Sequence, residues 1–127
     1  MRQKGNAISL DRLYILTGFV WLILGMVFGI YIGITDQTTQ SNAHAHANLL
    51  GFVISVLFGL MYRNWPNMTT SRLRMIQYGI YQIGVVALVI GKYQIAASGV
   101  SAIIAPGSVV VVLGTLMMMW IFATKAH

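Results

Sequence analysis

Leu13-Tyr-Ile-Leu-Thr-Gly-Phe-Val-Trp-Leu-Ile-Leu-Gly-Met-Val-Phe-Gly-Ile-Tyr-Ile-Gly-Ile34 carries no charged residue from end to end. A helix needs roughly 20 predominantly apolar residues to cross about 30 Å of hydrocarbon, and this run is long enough. It is continuous and lacks period-two alternation, which argues against a membrane strand. It is also longer than the core of a secretory signal and has no small-residue cleavage site before a polar domain, so it reads as a retained span.

Three further runs follow the same rule. The second covers about 44–62, after the polar segment 35–42 and before Arg63, Asn64, Trp65 and Pro66. The third covers about 75–95, after Arg72 and Arg74, and the fourth about 100–123, with Pro106 in its first turns and Lys125 behind it. The expected fold is all-α: a polytopic membrane protein of four transmembrane helices forming one domain over 1–127.

Composition points the same way. Apolar residues make up 57% of the 127 and charged residues only 8%, against roughly 25% charged in an average soluble protein. A chain this short has too little interior to hide that apolar surface from water; lipid removes the need. The net charge of +6 does not indicate nucleic acid, because the basic residues sit between apolar blocks and cannot form one face. They read as topology instead. Arg2, Lys4 and Arg12 precede helix one, Arg63, Arg72 and Arg74 separate helices two and three, and Lys125 follows helix four. With alternating helices all fall on one side, leaving Lys92 alone on the other. The Lys/Arg rule therefore puts both termini in the cytoplasm of a bacterial inner membrane and the 35–43 and Lys92 loops outside.

Small residues recur at close spacing: Gly25, Gly29 and Gly33; Ala43, Ala47, Gly51, Ser55 and Gly59; Gly84, Ala87 and Gly91. Such stripes are where lipid-embedded helices approach each other.

Asn42-Ala-His-Ala-His-Ala-Asn-Leu-Leu-Gly-Phe52 is the stretch that can carry chemistry, since ionisable residues at membrane depth default to functional roles. Residues two apart on a helix lie about 200° apart around it, so His44 and His46 point to opposite flanks and do not chelate one ion together. A zinc pair on one helix prefers four-residue spacing. The spacing suits a helix that offers one imidazole to each of two sites. Imidazole is a donor for metals and for haem iron. A haem between helices would direct its propionates outward, within reach of Lys92, and Phe19, Trp21, Phe28, Phe52 and Phe58 are available to line its ring. Asn48 can hydrogen-bond a ligand or another helix. There is no cysteine, so thiolate ligation is excluded.

His44-Ala-His46 followed by Leu50-Gly51-Phe52 resembles the tenth helix of the haem-copper oxidase catalytic subunit, most closely its high-affinity bacterial branch, and extends to nitric oxide reductases. In that family a His-x-His pair opens an outside-to-inside helix, and each histidine ligates a different haem. The resemblance implies haem-ligand roles for His44 and His46, a non-covalent b-type haem, and electron transfer or oxygen or nitric oxide chemistry. The motif spans about ten residues of this chain. The family's large subunit contains several four-helix arcs and further histidines for copper. Here there is one arc, and the only other histidine is His127, so stand-alone oxygen reduction is not implied. One arc can rebuild a ring by homotrimerisation, with His44 of one protomer and His46 of its neighbour on one haem.

Two other classes compete. In the first, the histidines and Asp36 collect copper or zinc outside; in the second, the chain is a cofactor-free partner of a respiratory complex. Asp11 and Asp36, the only acids, are expected in loops. The drug-exporter class would want a carboxylate inside helix one, where none lies. Met117–Met119 spread around a helix and read as core filling. Asn67-Met-Thr69 matches a glycosylation pattern on the side expected to be cytoplasmic.

Overall fold

A computed structural model describes residues 8–127; Arg2 and Lys4 lie outside that range. Four helices dominate: α1 (Leu10–Thr35), α2 (Thr38–Asn64), α3 (Arg74–Ser98) and α4 (Ile104–Lys125). All four are long and apolar enough to cross a membrane.

The helix ends depart from the apolar runs in instructive ways. α1 begins at Leu10, so Asp11 sits in its first helical turn rather than in a loop. It stops at Asp36, which takes a left-handed conformation (φ 59°) and returns its N–H to Ile32 O. α2 starts at Thr38, six residues before His44. Nothing between Thr38 and Leu50 breaks a helix, so polarity alone does not end it. α3 continues to Ser98 and is closed by Gly99 at φ 82°, a conformation that suits glycine. Lys92 is therefore inside α3, not in a loop. Pro106 falls in the first turn of α4, where its missing N–H has no helical partner to lose.

α1 packs along α2 and α3 along α4, while the first half of α2 joins α3. Glycines set the α3–α4 spacing. A Cβ on Gly84 would lie 2.7 Å from Val111 N, and one on Gly114 would lie 2.9 Å from Tyr81 Cα. Gly91 and Gly107 meet the facing backbone just as closely. The seven-residue spacing of each pair keeps both contacts on one face.

Polar bonds tie the helices where lipid supplies no hydrophobic drive between them. Tyr14 Oη donates to Gln77 Oε1 at 2.7 Å, and Gln77 Nε2 donates to Gly114 O at 3.1 Å. Trp21 Nε1 donates to Gln82 Oε1, and Gln82 Nε2 donates to Ser55 Oγ, both at 2.9 Å. Thr17 and Tyr78 share a hydroxyl bond of 2.6 Å. The buried apolar core gathers around Tyr14, Phe58, Tyr62, Tyr81 and Met118.

Arg63 Nε bonds Asp11 Oδ2 at 2.8 Å, and Asn67 Nδ2 donates to the His127 carbonyl at 3.0 Å. These contacts bring the start of α1, the 64–74 connection and the C-terminus to one end. Arg12, Arg63, Arg72, Arg74 and Lys125 are therefore neighbours at a basic end, and the histidines of α2 lie toward the other.

Candidate functional site

The two histidines sit on opposite flanks of α2, as a two-residue helical spacing requires. His44 faces α1. A Cβ on Gly29 would lie 2.9 Å from His44 Cε1 and 3.4 Å from its Nε2, and the Phe28 ring meets the imidazole edge-on at 6.4 Å. Gly29 is thus the notch that admits the ring. One turn deeper Gly25 does the same for Asn48, whose Oδ1 occupies the space a Cβ would need. Gly25 and Gly29 of the α1 stripe are thus filled by polar side chains of α2, while Gly33 faces open space.

That seam leaves polar atoms without partners. Asn48 Nδ2 lies 3.4 Å from His44 Nε2. His44 Nδ1 and Asn48 Oδ1 are buried and have no hydrogen-bond partner among the described residues. Gln40, one turn before His44, is 2% exposed; its Nε2 donates to Tyr93 O at 3.3 Å, while its Oε1 is also unpaired. Gln40, His44 and Asn48 form one stripe at i, i+4 and i+8.

His46 is differently placed. It is half-buried, as His44 is, and its Nδ1 lies 2.8 Å from Asn42 O in an exposed contact. A carbonyl only accepts, so Nδ1 carries the proton, and the Nε2 of the neutral ring keeps a free lone pair. Metal-ligating histidines are commonly held in this way, with the second ring N–H given to a backbone carbonyl.

Immediately after His46, α2 widens into a π-helical segment, Ala47–Val53. Tyr81 Oη donates to Leu50 O inside it at 2.8 Å. Such segments often mark functional sites.

The remaining sequence candidates separate. Lys92 is half-buried in α3 and makes no hydrogen bond or ion pair among the described residues. Trp21 packs over Gly51, and Phe58 lies in the tyrosine core. Phe19 is exposed and meets Phe52 at 6.1 Å. Phe28 alone of the five touches an imidazole. His127 is at the basic end. Met118 is buried and Met119 is 63% exposed, as expected for residues spread around a helix. Among the described residues no group of three or more His, Cys, Asp and Glu can hold a metal ion. The sequence carries a signal for Gln77 and Gln82, as glutamines inside the apolar run 75–95, but none for Gln40, which stands in the polar segment 35–42.

Comparison with models of known protein families, with curated proteins and with solved structures returned no match.

Proposed function

We propose that the chain is a haem-binding membrane module in which His46 Nε2 is the axial ligand to a b-type haem on the open flank of α2. The observation that carries this reading is the 2.8 Å contact between His46 Nδ1 and Asn42 O, which in the neutral ring assigns the proton to Nδ1 and the lone pair to Nε2. The resemblance of residues 44–52 to an oxidase haem helix supports it.

The same test separates the two imidazoles. His44 does not fit a haem as packed: its Cε1 edge is against Gly29, and its Nε2 faces Asn48. Its part is to seat α2 against α1, with His46 on the opposite flank by the helical repeat. Lys92 is the cation available to a propionate. The Gln40–Tyr93 contact puts it within about two helical turns of His46 in depth.

A haem on one exposed imidazole of a four-helix bundle has a second face to cover. A further copy of the chain covers it, in a closed ring of which a trimer is the arrangement we favour. Bound haem supplies one-electron transfer, and a free sixth position admits oxygen or nitric oxide. The Lys/Arg distribution puts the basic end in the cytoplasm of a bacterial inner membrane and the histidines near the outer face.

The test is the absorption spectrum of protein purified in detergent, before and after reduction and carbon monoxide addition. A Soret band that is lost in His46→Ala and kept in His44→Ala is expected. A band that survives His46→Ala overturns the ligand assignment. Colourless protein with stoichiometric copper or zinc supports the metal-collecting class, and colourless metal-free protein supports the accessory-subunit class.

A further inference from the structure

At the basic end, far from the histidines, the start of α1 and the start of α3 enclose a cavity of about 380 Å³. Ser9, Asp11, Thr69 and Arg74 supply its polar wall, and Ile8, Leu10 and Met75 its apolar one. Ile8 and Met75 are 55% and 49% exposed, so the apolar lip opens outward. The cavity lies where two membrane-length helices begin, which is the depth of the lipid headgroups. Its charges are of both signs. Arg74 is half-buried and uses Nη1 on Ser71 O at 3.1 Å; its other donors have no partner among the described residues. Asp11 gives Oδ2 to Arg63, while its side chain stays 20% exposed.

We infer that this cavity binds the headgroup of a phosphoethanolamine lipid, with the phosphate on Arg74 and the ammonium on Asp11. A guanidinium recognises phosphate oxygens through several N–H bonds. A carboxylate has about four lone-pair sites, so Asp11, still 20% exposed beside Arg63, can also accept from a primary ammonium, which has three N–H donors. The Ser9 and Thr69 hydroxyls complete the polar wall, and the acyl chains leave over Ile8 and Met75 into the bilayer. The mixed charge decides between headgroups. A purely anionic lipid would place its negative charge beside Asp11, whose one paired cation, Arg63, is already engaged. A choline headgroup has no N–H to give it.

Native mass spectrometry of the detergent-solubilised protein, titrated with phosphatidylethanolamine, phosphatidylcholine and phosphatidylglycerol of matched chains, tests this. One saturable phosphatidylethanolamine is expected, bound about fivefold tighter than either competitor, the scale of one added charge contact near a membrane surface. Arg74→Gln weakens all three lipids by about fivefold. Asp11→Asn removes the preference for ethanolamine over choline and leaves phosphatidylcholine binding unchanged. Arg72→Gln, an exposed neighbour that does not line the cavity, changes nothing. Preference for phosphatidylglycerol, or equal losses in Arg72→Gln and Arg74→Gln, would show diffuse basic attraction and overturn the assignment. Soluble phosphoethanolamine binding as tightly as the lipid would also overturn it. The wild-type preference alone decides the matter if a variant does not fold.

Discussion

Gly29 of α1 and His44 of α2 form a notch and its occupant: a methyl group on the glycine would sit 2.9 Å from the imidazole Cε1. The contact seats α2 against α1, and His46, two residues on, lies on the opposite flank by the helical repeat.

Gly29→Ala is therefore expected to cost about 1–3 kcal/mol through overpacking. The check is a reversible unfolding titration in mixed micelles, and the expected result is a lowered midpoint. Equal stability in Gly29→Ala would show that the notch does not hold His44.

Asn48→Leu should behave differently. Asn48 Oδ1 is buried without a partner, and the Nδ2 contact to His44 is long at 3.4 Å. Removing an unsatisfied polar atom in favour of an apolar one is close to neutral, or stabilising by about 1 kcal/mol. Unfolding midpoints of Asn48→Leu and wild type compare the two directly. A loss above about 2 kcal/mol would mean the amide has a partner in the folded protein.

Gln77 is the opposite case. It joins all four helices: from its own place in α3 it accepts from Tyr14 of α1 and, at 3.4 Å, from Tyr62 of α2, and donates to Gly114 O of α4. Gln77→Leu strands the Tyr14 hydroxyl in the core and should cost about 2–3 kcal/mol. Hydrogen exchange should rise first in α4, whose packing is otherwise against α3 and the 66–70 turn. Unchanged exchange there would show that the bond is incidental.

Gly84→Val and Gly114→Val press side chains against backbone atoms at 2.7–2.9 Å. Backbone cannot swing aside as a side-chain tip can, so each should cost about 3 kcal/mol or more, at the upper end of overpacking penalties. Reversible unfolding midpoints in mixed micelles read the cost, and unchanged midpoints in both variants would contradict the close approach.

The Asp11–Arg63 bridge is more modest. Arg63 is 53% exposed, and exposed pairs contribute about 0–1 kcal/mol. Arg63→Gln should lower the unfolding midpoint slightly at low salt and not at all at high salt. A large, salt-insensitive loss would mean that the pair is shielded from water.

Sequence alone determined the class of the fold. Four apolar runs, interrupted by charges, can satisfy their backbone groups in lipid only as helices. The fixed helical repeat also set His44 and His46 on opposite flanks before any tertiary contact was known. Helix ends were less legible. Asp11, Lys92 and the 38–43 segment are polar, and polarity was read as loop, yet a polar residue at membrane-headgroup depth continues a helix unless glycine or proline stops it. The small stripe of α1 was legible as packing, but not what it packs: only the structure put Asn48 against Gly25 and His44 against Gly29. The glycines of α4 at 107 and 114 gained meaning only opposite Gly84 and Gly91. Which imidazole is closed in and which remains open is likewise a tertiary fact. Periodicity fixes the angle between two side chains on one helix; the angle of that helix to its neighbours comes from the shapes that meet across the seam.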